Sequence, residues 1–447
     1  MKPAITSGFG GFFGRITPPL LRERTFGLLW LAEVIAMGAG HISHLALPII
    51  GTTVLHASPT QMGLLVAFQA LPFALLSLPS GVWIDQTSKQ RILVGCFIVL
   101  AASLALLPAA WFMGWLNMPL LYLVGFLVGA VMTVFGTAHQ VLVTHVVGRP
   151  RLVDAYRIIQ TSESLIRLAA PGLAGLLIQA FGAPKAIAIE VIALAFTLAL
   201  FVKLDEPASA RQPSAPSKGL LPDMLEGLRY CWNDPALRAM AFAAAAWQFL
   251  FHGFLAMQIL FATRELHMNA GQIGLVHIAG GVGALVSAVL VKRLNHRVGP
   301  GNVMVWGLAL TTVVWAAFAL LPADKPWNMA TMALALFLFD IGAVAFFINY
   351  ISMRQIVTPD ALLGRVTATM RFASVALAPL GAIATGITAD AIGLRPTFAL
   401  LGGLGMLAVL GLASYKPFRA ASAEALAHPP GQTPQPAPGH APQANVQ

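Results

Sequence analysis

Gln61-Met62-Gly63-Leu64-Leu65 recurs as Gln272-Ile273-Gly274-Leu275-Val276, 211 residues further along the chain. Other landmarks repeat at nearly the same distance. Leu152 and Leu362, each just after a loop, lie 210 apart. Ala170-Pro171-Gly172-Leu173-Ala174-Gly175 is answered by Ala378-Pro379-Leu380-Gly381. In a chain of 447 residues the two copies fill the length. Solenoid repeats have periods of about 20–50 residues. This one is instead a duplicated half, and duplicated halves are a signature of secondary transporters.

Composition places both halves in a membrane. The chain is 57% hydrophobic and 10% charged, against about 25% charged in an ordinary soluble domain. Apolar stretches of about 18 residues or more repeat along it, each able to cross roughly 30 Å of hydrocarbon as a helix. Lipid offers no hydrogen bonds, so the backbone must pair within each span. No alternating pattern of a transmembrane barrel is present. The expected class is therefore an all-α membrane protein of twelve transmembrane helices in two pseudo-symmetric six-helix bundles.

The spans are expected at 26–50, 61–83, 91–113, 118–147, 155–181, 185–203, 237–262, 271–293, 300–321, 327–351, 362–388 and 395–415. This divides the chain into an N-terminus 1–25, a bundle 26–203, a linker 204–236, a bundle 237–417 and a tail 418–447. The linker begins flexibly, with a Pro/Ser/Ala-rich run from Pro207 to Lys218. From Leu220 to Tyr230 it reads as an amphipathic helix on the membrane surface. The Pro/Gln/Gly/Ala-rich tail is expected to be disordered. The N-terminus shows no small-residue cleavage site before the first span. Cys96 and Cys231 make no disulfide framework.

Charge orients the bundle. Of 27 Lys and Arg, Lys185, Arg264, Lys325 and Arg395 fall in loops on one side, and Arg167 and Arg371 fall within spans. The other 21 lie at or near the side that carries both termini. The positive-inside rule makes that basic side cytoplasmic. The formal charge of +10 then reflects topology and anionic lipid, and no nucleic-acid partner is expected.

After the second span comes Gly81-Val82-Trp83-Ile84-Asp85-Gln86-Thr87-Ser88-Lys89-Gln90-Arg91. Glycine permits close helix approach, Asp85 can face a helix N-terminus, and Lys89 and Arg91 anchor the surface. This loop resembles the signature loop of the major facilitator superfamily, departing from it at Gln86 and Ser88. The second copy, Lys292-Arg293-Leu294-Asn295-His296-Arg297, is basic but lacks an aspartate. Phe26-Gly27-Leu28-Leu29-Trp30, Met353-Arg354-Gln355, Thr358-Pro359, Leu362-Leu363-Gly364-Arg365-Val366, Arg371-Phe372 and Pro379-Leu380-Gly381 resemble bacterial drug-proton antiporter-like exporters of multidrug, macrolide and siderophore type. The resemblance implies six-plus-six architecture and alternating access. It also implies an inner gate around Gly81, Asp85, Lys89, Arg91, Arg365 and Arg371. The stretch containing Pro171, Gly172 and Gly175 is a degenerate form of the glycine-proline motif found in exporters. Pro171 bends its helix, although small-residue packing alone accounts for it equally well.

Ionisable residues at membrane depth are functional hypotheses by default. In the resembled fold the first, fourth, seventh and tenth helices line the cavity, and here they carry Glu33, His139, His252 and Asp340. Desolvation brings carboxylates toward the range in which they exchange protons, and histidine already lies there. Glu33 and Asp340 lead as proton-coupling candidates, with His139 and His252 behind. Ordinary hydrogen bonding is the plain alternative for each. His41 and His44 are expected at the cavity rim. Glu163 and Arg167, spaced i, i+4 with the acid first, form an intramembrane pair. Trp247, Phe249, Phe251, Phe254, Met257, Phe346 and Phe347 offer an aromatic lining along the seventh and tenth helices; most are expected to face lipid or other helices, and some to suit loose contact with an amphipathic substrate.

The reading is a proton-coupled exporter of a small amphipathic compound, monomeric, in the bacterial inner membrane. An importer or lipid-related transporter of the same fold is the alternative, with a membrane sensor behind it. No phosphate-binding loop, zinc-spaced histidine pair or Ser/His/Asp arrangement points to an enzyme, a cofactor or a metal.

Overall fold

A computed structural model describes residues 19–203, 220–323, 326–359 and 362–427. The described residues form helices α1 (Arg24–Ile49), α2 (Pro59–Gln86), α3 (Lys89–Phe112), α4 (Met118–Val147), α5 (Leu152–Phe181) and α6 (Ala183–Val202) in the first half. A surface helix α7 (Leu220–Asn233) follows. The second half holds α8 (Pro235–Arg264), α9 (Ala270–Val298), α10 (Pro300–Phe318), α11 (Asn328–Val357), α12 (Leu363–Val375), α13 (Ala378–Ile392) and α14 (Leu394–Ser414), and α15 (Lys416–Ala427) comes last. Twelve stretches are long and apolar enough to span a membrane, α12 and α13 together making the eleventh. Most spans run a few residues longer than expected from hydropathy, because polar caps and prolines outside the apolar runs start them. Proline sits in the first turn of α2, α4, α6, α8, α10 and α13, where its missing N–H costs nothing. The expected single helix at 362–388 is two, broken at Ala376-Leu377 just before Pro379.

The repeated pentapeptide has a structural reason at each position. Gln61 and Gln272 close capping boxes. Ser58 Oγ accepts from Gln61 N (3.2 Å) while Ser58 N donates to Gln61 Oε1 (2.8 Å). Asn269 Oδ1 accepts from Gln272 N (2.9 Å) while Asn269 N donates to Gln272 Oε1 (3.0 Å). Just before each box stands a histidine with left-handed backbone, His56 (φ 50°) and His267 (φ 52°), again 211 apart.

Gly63 and Gly274 are where the halves touch. A Cβ on Gly63 would lie 2.4 Å from the Ala382 carbonyl oxygen of α13, and one on Gly386 would lie 2.7 Å from the Pro59 carbonyl oxygen. The mirror contact joins α9 to α5. A Cβ on Gly274 would lie 2.5 Å from the Pro171 carbonyl oxygen, and one on Gly175 would lie 2.7 Å from Gly274 Cα. The landmarks of each copy thus pack crosswise against those of the other, at the side away from the termini. Polar groups finish the seam's edge. Thr60 N donates to Asp390 Oδ2 at 2.9 Å, and Ser58 Oγ donates to the same atom at 3.3 Å. Arg264 Nη2 donates to the Ala57 carbonyl at 2.7 Å.

Two peripheral readings change. The amphipathic helix extends to Asn233, and Gly227 brings it onto α12, where a Cβ would stand 2.8 Å from the Arg365 carbonyl. The tail expected to be disordered from 418 starts instead as α15, with Phe418 and Ser422 buried and Ser422 seated over Gly301 of α10. Arg419 and the surrounding small residues give it enough helix propensity once Phe418 has a place to bury. The linker run Pro207–Lys218 and the chain beyond 427 lie outside the described residues.

The seam predicts opposite effects for one substitution at two kinds of glycine. Gly63→Ala must push backbone aside and should lower the thermal unfolding midpoint in detergent, by an overpacking cost of about 1–3 kcal/mol. Gly38→Ala, which meets nothing within 4 Å, should leave the midpoint unchanged or raise it by up to ~1 kcal/mol of helix propensity.

Candidate functional site

Beneath the seam lies a cavity of about 890 Å³, its lining running from Leu47 of α1 to Gln140 and Arg371 near the basic side. That is within the roughly 300–1,000 Å³ typical of small-molecule sites. Helical periodicity builds its walls. α1 contributes Glu33, Met37, His41 and His44, α2 contributes Gln69, Phe73 and Ser77, and α4 contributes Met132, Phe135 and Gln140. α3 adds Phe97, α6 Glu190, α8 His252 and α12 Arg371 and Phe372. The lining therefore comes mainly from the first half.

Glu33 and His139 are brought together: Glu33 Oε2 lies 3.2 Å from His139 Nε2, both side chains buried. The contact is close enough for an ion pair but is off the hydrogen-bond direction, so neither atom has an aligned partner. His139 stacks on Phe135, with ring centroids 5.4 Å apart. His252 lines the cavity with Nδ1 2.9 Å from the Gln248 carbonyl. His41 and His44 also line it.

Asp340 is placed behind the cavity wall. A Cβ on Gly280 of α9 would lie 2.3 Å from Asp340 Oδ2, while one on Gly281 would lie 3.2 Å from the Arg167 carbonyl. This glycine pair wedges α9 between Asp340 of its own half and α5 of the other. Arg167 is within electrostatic reach of Asp340 and of His41. Its Nη2 bonds Glu163 Oε1 at 2.6 Å, the i, i+4 pair expected from spacing.

Among the residues expected at the inner gate, Arg371 lies over the Phe73 ring, 5.1 Å from its centroid, and so joins α12 to α2 by a cation–π contact. Arg365 pairs with Glu226 of α7 at 2.7 Å. Lys89 is buried, and Arg91 N donates to the Ser88 cap. The side chains of Gly81 and Asp85 lie outside the described residues. Pro171, Gly172 and Gly175 sit against α9, with Gly172 over Ile278.

The aromatics of α8 and α11 mostly face other helices, as expected, and form a core. Trp247, Phe251, Phe254, Phe346 and Phe347 pack with one another and with Trp315, Phe318, Phe339 and Phe398, and none of them lines the cavity. The cavity's own aromatics are Phe73, Phe97, Phe135 and Phe372.

Sequence reasoning missed Glu190. It is 1% exposed, lines the cavity, and accepts from both Ser43 N (2.7 Å) and Ser43 Oγ (2.9 Å). This clasp joins α6 to α1. Glu190 was findable, being the one acid between Ala183 and Val202, but attention had gone to the four helices expected to line the cavity. The site can thus present carboxyls, imidazoles and aromatic faces to a molecule of several hundred daltons.

Known proteins place this geometry. A family profile described as transmembrane secretion effector matches residues 16–438. The enterobactin exporter EntS of Citrobacter koseri is 27% identical over 395 residues, covering 86% of this chain and 85% of that protein. The multidrug efflux pump Tap of Mycolicibacterium fortuitum is 28% identical over 386 residues, covering 84% and 91%. Among solved structures, the D323A mutant of the nucleoside transporter NupG superposes with a TM-score of 0.73 at 12% identity, covering 87% of this chain and 99% of that one. A bacterial homologue of the iron transporter ferroportin, in an inward-facing state, gives 0.70 at 15% identity, covering 89% and 98%.

The clasp is testable by graded removal. Ser43→Ala deletes one of the two donors and should cost about 0.5–1.5 kcal/mol. Glu190→Leu strands a buried N–H and should cost more, about 1–3 kcal/mol. Chemical or thermal unfolding in detergent checks the order; equal effects would mean that the Ser43 backbone bond contributes nothing.

Proposed function

The chain belongs to the transmembrane secretion effector family of major facilitator transporters, and from that premise we propose that it is a secondary active exporter driven by the proton gradient. It lies in the bacterial inner membrane with both termini in the cytoplasm and moves a small amphipathic compound outward. The observation that carries this reading is a cavity between the halves, lined as far as Gln140 and Arg371 near the basic side, with the backbone-to-backbone glycine seam on the other. By the positive-inside rule the basic side is the cytoplasm. Substrate enters there and meets the aromatic faces of Phe73, Phe97, Phe135 and Phe372 beside Glu33 and Glu190.

Alternating access then requires two exchanges: the seam opens, and the basic side closes around Arg371 and Phe73. A carboxyl that binds a proton in one orientation and releases it in the other shifts the balance between them. Glu33 is suited to this because its partner, His139, is itself a proton carrier. Asp340 is suited because Arg167, on the other half, acts on its charge. His139 and His252 supply further proton acceptors beside the cavity. The likeness to EntS and Tap supports export of a drug-like or siderophore-like molecule.

In proteoliposomes, Glu33→Gln and Asp340→Asn are expected to abolish the dependence of substrate accumulation on an imposed proton gradient. The loss corresponds to a coupling of about 1–3 kcal/mol, roughly 5- to 150-fold. Normal pumping against a gradient by both variants would defeat the assignment. Accumulation that follows an oppositely directed gradient would mark the chain as an importer.

A further inference from the structure

At the basic-side end of α11, Tyr350, Arg354 and Thr358 stand four residues apart, on one face of the helix. Arg354 and Thr358 are buried, at 7% and 4% exposure, and so is Tyr350. The Tyr350 hydroxyl, Arg354 Nε and the Thr358 hydroxyl all lack an aligned hydrogen-bond partner. The guanidinium lies over the Tyr350 ring, 5.4 Å from its centroid. Among the described residues no carboxylate pairs with Arg354. Asp234, which acts on neighbouring Cys231, is engaged in capping α8 through Leu237 N at 2.8 Å. A buried cation with no counter-charge is strongly unfavourable. The guanidinium, with the Tyr350 hydroxyl beside it and the Thr358 hydroxyl one turn further along the same face, offers several donors to an anion with multiple acceptor oxygens.

The surroundings point to the source of that anion. Cys231 of α7 lies within electrostatic reach of Arg354. On the same helix Leu225, Leu228 and Trp232 are exposed, at i, i+3 and i+7. Such an apolar stripe lies in the boundary between lipid headgroups and acyl chains, and basic pockets at that depth on the basic side hold anionic headgroups. We propose that Tyr350, Arg354 and Thr358 form a phosphate-binding site occupied by the headgroup of an anionic phospholipid. Occupancy supplies the counter-charge missing at Arg354 and ties α7 and α11 to the membrane surface.

The test uses the full chain purified in detergent, titrated with phosphatidylglycerol, phosphatidylcholine or inorganic phosphate, and read by native mass spectrometry and thermal unfolding. Phosphatidylglycerol is expected to bind and protect in preference to phosphatidylcholine. Arg354→Gln should weaken that binding by roughly tenfold or more, and Tyr350→Phe by a smaller factor. In lipid-free detergent R354Q should unfold no lower than the parent, because it removes an unpaired buried charge. Retention of phosphatidylglycerol by R354Q overturns the site. A large loss of stability in lipid-free R354Q does so as well, since it marks the guanidinium as structural. Protection by inorganic phosphate with no preference for phosphatidylglycerol overturns the lipid as its source.

Discussion

Close approach of backbone to backbone across the two halves is the constraint from which the rest of this structure follows. Inside a bilayer apolar side chains gain little by leaving lipid, so helices associate through dispersion contacts and short-range polar fit, which favour small residues. Here Gly63 meets Ala382 and Gly386, while Gly274 meets Pro171 and Gly175. Any side chain at these points would hold the halves apart. Because the seam is thin, the helices diverge below it, and the divergence is the cavity. The capping boxes at Ser58 and Asn269 start α2 and α9 on a fixed residue, so each glycine arrives at the right height along its helix.

The halves share this scaffold but divide its chemistry. The cavity wall belongs mainly to α1, α2 and α4, which carry Glu33, His41, His44, Phe73 and Phe135. The corresponding volume of the second half is filled by a dense aromatic core around Trp247 and Trp315. One half is thus densely packed and the other hollow and polar. The charges that cross between them are few. Arg167 and Asp340 approach through the gap left by Gly280 and Gly281, and Arg371 rests on Phe73.

Much of this was legible in the sequence, and the reasons are local. The twelve spans, the duplication and the Glu163–Arg167 pair depend on hydropathy, repetition and helical spacing, all of which are written along the chain. Glu33 and Asp340 announced themselves as carboxyls within apolar runs. What could not be read was which face of an equally apolar helix turns inward. Trp247 and Phe346 have the composition of a binding wall, yet helix–helix packing claims them. Glu190 is legible as an acid within an apolar run, but its partner is not, because only the fold brings Ser43 to it. Asp390 sits 330 residues from the Thr60 N–H that it accepts, and no periodicity links them. The break at Ala376-Leu377 was signalled by Pro379 and passed over because the surrounding residues remain apolar.

The seam also has an electrical consequence. Its central contacts involve glycines, carbonyl oxygens and Cα atoms, none of which gains or loses a proton or carries a formal charge. Its strength is therefore indifferent to acidity, to salt and to membrane voltage. Nothing in the chemistry of the medium can unlock it directly. In the proposed cycle such signals would be received elsewhere, at the carboxyls and imidazoles below it or at Asp390 and Arg264 along its edge, and would reach the seam as mechanical load. The lid of the cavity would in this sense be a passive part, spatially separate from the groups that sense the environment.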